Sequence, residues 1–514
     1  PFKHRGFAPG SADTWTEYWF PIKGTKGLVQ ASPYGALNLK PEGGRLKIAF
    51  CPLQPTHDRL EVRDGDEVVY SKQLTLQPME VFEDSLEIKS VPKTLKAALG
   101  AQKLLYDSAP QARELSRPLD SPKDFDWNGV YGLYLQGKEH VRGRRYPAAQ
   151  AKLEECLKKD PHFLPALSEM ALLMYRFMDY AKADEYAAKA LAIDTYDPAA
   201  NFARGLACQK LGRPADAKDG LDIAAASVQY RSAACAELAD LYMRGKDYDR
   251  ADHYAQRALD YNRFNLNALQ VQAVTARVQE NKDHAAVLET MLAIDPLNHF
   301  ALFEKHLRGE LSAEQFRDSI RNEMPDQTYL ELAIRYHSLA RLDEAGRVLA
   351  LAPRTPEIAC WQAWLAHRSG KKDADALLKE ADSLSPAMAF PFRPESAQAL
   401  RWAVTQTQSW KPRYFLALIW WNCNNLDKAR ELFGECGDQP DFAPFYVARA
   451  RLLPQNAEAD LKKAIRLDRQ WRYGHALAGH YLSAGQAKDA AATAGEFLKQ
   501  SPDNYVLGLL YAKE

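Results

Sequence analysis

From residue 13 to 90, apolar and polar positions alternate in short runs: WTEYWFPI, GLVQAS, ALNLK, RLKIAFC, RLEVR, EVVYSKQLTL and SLEIK, separated by clusters of Gly, Pro and Asp. A period of two is the pattern of half-buried strands, and it predicts a small β-domain over residues 1–90. Asp64-Gly65 falls between two of the runs, and that dipeptide accepts the positive φ angles of a tight hairpin turn. Trp15, Tyr18, Trp19 and Phe20 crowd one end of this region. So few strands leave too little sheet to bury those rings, which predicts a docking edge: covered by the following region, or open where further sheet would sit.

Residues 91–126 read as a Pro-punctuated connector. Its first half fits a short helix, and its end, SRPLDSPKDFDW, reads as extended, because each Pro biases its predecessor away from the α region. Asp120, Asp124 and Asp126 stand where they would cap the helix that begins near Trp127.

From Trp127 the apolar spacing becomes helical and the sequence resembles itself. Small residues recur every 34 positions at Gly137, Ala171, Gly205, Ala239 and Ala273, and again at Ala149, Ala183, Ala217, Ala251 and Ala285. Two registers with one period predict stacked helix pairs, each small side chain letting its helix approach a neighbour. Tyr146, Tyr180 and Tyr248 fall at the turn inside each pair, and Pro161 and Pro296 near repeat ends. This pattern resembles the tetratricopeptide repeat. It gives five regular repeats over 127–296, then degenerate pairs over 297–514 with a lone terminal helix, roughly ten pairs in all on that family's repeat length. The predicted fold class is mostly α: a right-handed tetratricopeptide-type α-solenoid preceded by a small antiparallel β-domain. Asp194 and Asp260, in the turns IDTYDPAAN and LDYNRFNLN, are expected either to cap the helices that follow or to make polar contacts with another domain.

Taken together, EYWFPIKGTKG, ALNL, DRLEVRDGDEVVY, LSRPLDSPKDFDW, KALAIDTYDPAANFARGL and ALDYNRFNLNAL resemble a family of large bacterial proteins of Bacteroidetes type. In that family a galactose-mutarotase-like β-sandwich precedes a small β-domain and a tail of tetratricopeptide repeats. The resemblance implies that this sequence is the C-terminal half of such a protein, without the sugar-binding sandwich, and it carries no catalytic residue over.

The chain has 67 basic and 67 acidic residues, so no global field draws it to nucleic acid or an anionic membrane. No stretch approaches the roughly 20 apolar residues of a membrane span. Seven scattered cysteines lack metal-ligand spacing, and they read as small apolar residues of a reducing compartment. The expected location is the cytoplasm, with the periplasm open if a signal peptide preceded Pro1. No nucleotide loop, paired-cysteine or H-E-x-x-H motif occurs, so neither cofactor, metal nor catalytic residue is expected.

In tetratricopeptide arrays the groove is lined by the first helix of each pair. The register places Tyr131, Tyr134, Lys138, Arg142, Tyr175, Arg176, Phe202, Lys210, Asp240 and Arg244 there, a mixed, mildly basic and aromatic surface. Trp361, Trp364, Trp420 and Trp421 belong to a tryptophan-rich second half, and they read either as core or as a strip that stacks on sugar rings. Adjacent Trp420 and Trp421 cannot both point inward on one helix. Two functions stay open: a non-catalytic scaffold that holds a protein partner, or the chain's own upstream domain; and the solenoid part of a carbohydrate-active enzyme, facing a glycan.

Overall fold

A computed structural model describes residues 16–88, 90, 92, 94–109 and 124–512, and it divides the chain into two units, 1–125 and 126–514.

The first unit holds β1 (Gln30–Ser32), β2 (Gly35–Glu42), β3 (Arg45–Pro52), β4 (Thr56–Asp64), β5 (Glu67–Leu76), β6 (Phe82–Glu87), β7 (Leu95–Leu99) and β8 (Leu104–Asp107). They form two four-stranded antiparallel sheets, ordered β1-β2-β3-β6 and β5-β4-β7-β8. Alternate residues of both sheets, among them Leu37, Leu39, Ile48, Phe50, Leu60, Val62 and Leu99, share one buried cluster. The expected hairpin joins β4 to β5, with the turn one residue further on: Asp64 pairs with Glu67, and Gly65 takes φ +63°. Two expectations are corrected. The segment Thr16–Ile22 forms no strand; Tyr18 and Trp19 are exposed there, the latter by 90%, while Trp15 lies outside the described residues. The first half of the expected connector makes β7 and β8 instead of a helix, because Leu95, Ala97 and Leu99 alternate into the same core.

In the second unit the helices pack in successive pairs. The pairs run α1 (Val130–Arg142) with α2 (Tyr146–Lys159), α3 (Leu164–Arg176) with α4 (Tyr180–Leu191), α5 (Pro198–Lys210) with α6 (Pro214–Ala224), and α7 (Arg231–Arg244) with α8 (Tyr248–Tyr261). They continue through α9 (Leu266–Val278) with α10 (His284–Ile294), α11 (His299–Leu307) with α12 (Ala313–Ser319), α13 (Pro325–Ser338) with α14 (Leu342–Ala350), and α15 (Pro356–Arg368) with α16 (Ala374–Ser383). After the single helix α17 (Ser396–Gln406) come α18 (Trp410–Asn422) with α19 (Leu426–Glu435), α20 (Ala443–Leu452) with α21 (Ala457–Leu467), α22 (Trp471–Ser483) with α23 (Ala487–Leu498), and the terminal α24 (Tyr505–Tyr511).

The turn inside each pair explains the period. A left-handed residue stands in the first five, at Arg144, Met178, Gly212, Lys246 and Glu280. The next backbone N–H reaches back across the helix end, as from Arg145 to the His140 carbonyl (2.8 Å) and from Asp179 to that of Met174 (3.0 Å). This closes the open carbonyls of the first helix. A buried small residue precedes each left-handed position, and another follows it in the first four pairs; at Gly205 an added Cβ would sit 2.7 Å from Leu221 Cγ. The series breaks at α10: Ala285 is exposed, and His284 is buried in its place. A one-residue slip turns a helix by roughly 100°.

That slip seeds a buried polar network. Glu304, fully buried, accepts from Arg277 Nε (2.6 Å), His284 Nε2 (3.2 Å) and Tyr336 OH (2.8 Å). Arg308 bonds His284 Nδ1 at 3.0 Å. A guanidinium only donates, so Nδ1 accepts and the ring proton toward Glu304 sits on Nε2. Arg277 also reaches Glu344 at 2.9 Å, tying α9, α11 and α14 together.

Cap expectations also change. Asp197 and Asn265 cap α5 and α9, whereas Asp194 closes a turn on the Tyr196 N–H and Asp260 accepts from Gln256. Gly129 stands at the start of α1, and Asp126 accepts from the Asn128 N–H (2.9 Å); Asp120 lies outside the described residues. All seven cysteines are buried and free. Among the described residues no helix is long and apolar enough to cross a membrane, and no group of His, Cys, Asp and Glu could hold a metal ion.

Candidate groove site

The first helices of successive pairs turn one face toward a shared cavity of about 600 Å³, lined by α3, α5, α7, α9, α11 and α13 and by Arg393 and Glu395 of the segment between α16 and α17. The small residues of each first helix are spent on packing, so the side chains on the cavity side are free to be polar, and they are. Arg335 holds Asp240 with two bonds (2.6 and 3.0 Å), Gln270 Oε1 at 2.6 Å and the Asn267 carbonyl at 2.9 Å. Beside it Arg244 donates to Gln209, whose amide donates in turn to Glu237 at 3.0 Å. Burial, reinforced by the Asp240 charge, raises the Glu237 pKa above the usual carboxylate range. The result is a set of cross-linked side chains already held in place before any ligand arrives, which lowers the entropy cost of binding one.

A second cavity of about 410 Å³ adjoins the first and shares Tyr175, Lys210 and Glu395 with it. Val141, Leu172, Leu173, Tyr180, Phe202 and Leu206 give it apolar walls, with Pro394 on the far side. The segment between α16 and α17 is held across this region. Arg393 pairs with Glu331 of α13 (3.3 Å), Asn422 donates to the Phe392 carbonyl (3.2 Å), and Ala389 belongs to the same buried cluster as Met178 at the α3–α4 turn.

Of the residues expected in the groove, Tyr175, Lys210, Asp240 and Arg244 line the larger cavity, and Tyr175, Arg176, Phe202 and Lys210 line the smaller. The four expected residues of α1, Tyr131, Tyr134, Lys138 and Arg142, line neither. Tyr134 packs on Phe163 (centroids 5.6 Å apart), Lys138 lies over the Tyr134 ring, Arg142 pairs with Glu139 at 3.6 Å, and Tyr131 is exposed next to Tyr134. Sequence reasoning missed Arg335, Gln270, Glu237, Arg393 and Glu395. The repeat register could have flagged Glu237 and Gln270, which sit on the expected helices; Arg335 comes from a later repeat where the period has loosened, and Arg393 lies between helices, outside any repeat register.

The sugar-stacking expectation is corrected. Trp361, Trp364 and Trp420 are buried, with 0%, 5% and 3% of their surface exposed, so none offers a face to a sugar ring. Trp361 donates to Ser396 Oγ at 3.0 Å and packs edge-on against Trp364. Trp420 lies between Arg401 and Lys428. Trp421 is half-buried against Phe433, which resolves the conflict between the two neighbours without a groove.

No protein-family model matches the chain, and no curated protein matches it. Solved structures do. A tetratricopeptide repeat protein from Parabacteroides merdae ATCC 43184 aligns at 13% identity over 56% of this chain and 98% of its own, with a TM-score of 0.34. YrrB, described as a TPR protein with an unusual peptide-binding site, aligns at 18% identity over 35% of this chain and 94% of its own, with a TM-score of 0.30. Yeast Tom70 aligns at 17% identity over 74% and 95%, with a TM-score of 0.22. TM-scores this low transfer no function. By its own helix pairing and sheet order the chain is a tetratricopeptide-type helical repeat region behind a small antiparallel β-domain.

Proposed function

We propose that residues 126–514 form a non-catalytic scaffold that holds an extended segment of a protein partner along the groove of α3, α5, α7, α9 and α13. The observation that supports this reading is the pre-linked polar wall around Arg335, Asp240, Gln270, Arg244 and Gln209, on a face where the fold itself asks for nothing polar. Backbone N–H and C=O groups of an extended chain need such donors and acceptors, and the adjoining apolar cavity suits a large side chain. The sequence resemblance names one source of the segment, a neighbouring domain of the same polypeptide; its carbohydrate side draws no support from the buried tryptophans. Peptide-display selection on the full chain tests the reading. Selected peptides should lose binding to a Tyr175→Ala, Arg244→Ala variant whose helical circular dichroism is unchanged. Failure to select any peptide, or equal binding to that variant, overturns it.

A further inference from the structure

The four exposed cations Arg142, Arg176, Lys210 and Arg244 stand 34 residues apart, one in the last turn of each of α1, α3, α5 and α7. A last-turn cation favours any helix by complementing its dipole. That effect does not require the same position four times in succession, nor the cavity-facing side: Arg176, Lys210 and Arg244 all line the groove cavities, and Arg142 continues the row beyond them.

Three of the acids near this row are engaged with other groups. Asp240 is held by Arg335, Glu331 by Arg393, and Glu237 accepts from Gln209. Glu169 lies near Lys138 and Arg176, whose charges oppose the rise that burial gives its pKa, and Glu395 lies near the Tyr175 and Tyr180 phenols, adding to the upward shift that burial gives them. Of the four cations only Arg142 has a carboxylate within 4 Å among the described residues, that of Glu139. Arg176 rests instead on the Tyr146 ring, 4.9 Å from its centroid, and Arg244 on the Gln209 amide and the Asp240 carbonyl. Arg368 lies near two of them: burial, then the charges of Arg368, Lys210 and Arg244, push the His337 pKa down to about 4. Lys210, Arg244 and Arg368 therefore share the neighbourhood of His337.

Resting on the groove reading above, we infer that the partner segment is acidic, with its carboxylates set against the ladder Arg142, Arg176, Lys210 and Arg244. The spacing adds a register. Packed helices lie about 8–10 Å apart and an extended chain rises about 3.3 Å per residue, so one carboxylate in roughly every three residues meets one rung. Four rungs then call for a segment of about twelve residues.

The test uses the full chain and two fluorescein-labelled peptides of about twelve residues, with Glu or Lys at every third position and Gly and Ser between, the length being set by the extended rise. Fluorescence anisotropy should show the Glu peptide binding at least about tenfold tighter than the Lys peptide, and weakening as salt rises. The Lys210→Glu, Arg244→Glu variant should weaken the Glu peptide by about tenfold or more, a difference of about 1.4 kcal/mol. Both positions are exposed, so the variant should keep its helical circular dichroism, and Lys210→Gln serves as a milder second variant with a smaller loss in the same direction. Equal binding of the two peptides, or no loss in the folded charge-reversed variant, overturns the inference. Display selection separates the two claims: groove-bound peptides without acidic residues would refute the ladder and leave the scaffold standing, whereas no groove binder at all refutes both.

Discussion

Glu357, in the first turn of α15, is 2% exposed, and its carboxyl accepts from Ser396 Oγ at 2.7 Å at the start of α17. Burial pushes its pKa from 4.5 up to about 7; the Ser396 and Gln327 hydrogen bonds and the Arg393 charge pull the other way, and Asp326 adds to the rise. A shift of about 2.5 pH units is worth about 3 kcal/mol at roughly 1.4 kcal/mol per unit. The sign follows from proton counting: the folded state binds the proton more tightly than the unfolded one, so the protonated form contributes most below pH 4.5, and stability falls as pH rises from 4.5 through about 7. Glu357→Gln keeps the shape and cannot ionise. Relative to the parent it should be near neutral at about pH 4.5 and more stable by about 3 kcal/mol at about pH 8. Taking the difference between the two proteins cancels the other titrating groups. Repeat arrays need not unfold in one step, so hydrogen exchange of the α15 and α17 amides across that range is the direct readout. A pH-independent difference, or a destabilised glutamine variant at high pH, refutes the reasoning.

Four further outcomes are expected from denaturation and hydrogen exchange. Gly205→Ala should destabilise, because a Cβ 2.7 Å from Leu221 Cγ costs about 1–3 kcal/mol of overpacking against a helix-propensity gain of about 1 kcal/mol; Gly479→Ala, with no atom within 4 Å, should stabilise by up to about 1 kcal/mol. Ala340→Gly, at an exposed left-handed position with φ +57°, should stabilise by about 0.5–1 kcal/mol: relieved strain of about 1–2 kcal/mol, less the added freedom of the unfolded chain. Arg277→Met should cost about 3–5 kcal/mol by leaving the fully buried Glu304 without its guanidinium, with exchange protection lost first in α9 and α11.

The groove was partly legible. Tyr175, Lys210, Asp240 and Arg244 could be placed by counting from the small residues, because each sits at a fixed offset from a turn that its own repeat encodes. Asp240's partner could not: Arg335 lies 95 residues away, and Gln270 reaches the same guanidinium across 65. Likewise the tryptophans are the same residue whether stacked on a sugar or sealed in a core. Only neighbours such as Ser396, which takes the Trp361 N–H from 35 residues away, decide between the two.

The sequence alone determined the helix pair. The small residue, the left-handed turn and the small residue that follows act within one repeat, where 34 residues of local geometry suffice. It determined the 34-residue spacing of Arg142, Arg176, Lys210 and Arg244 too. The tertiary structure decided what contacts between distant repeats decide: the two sheets that take in residues 95–107, the His284 slip that answers to Glu304, and the passage of Arg393 to Glu395 across the groove. Local period fixes which way a side chain faces, but only contact between distant repeats brings it a partner.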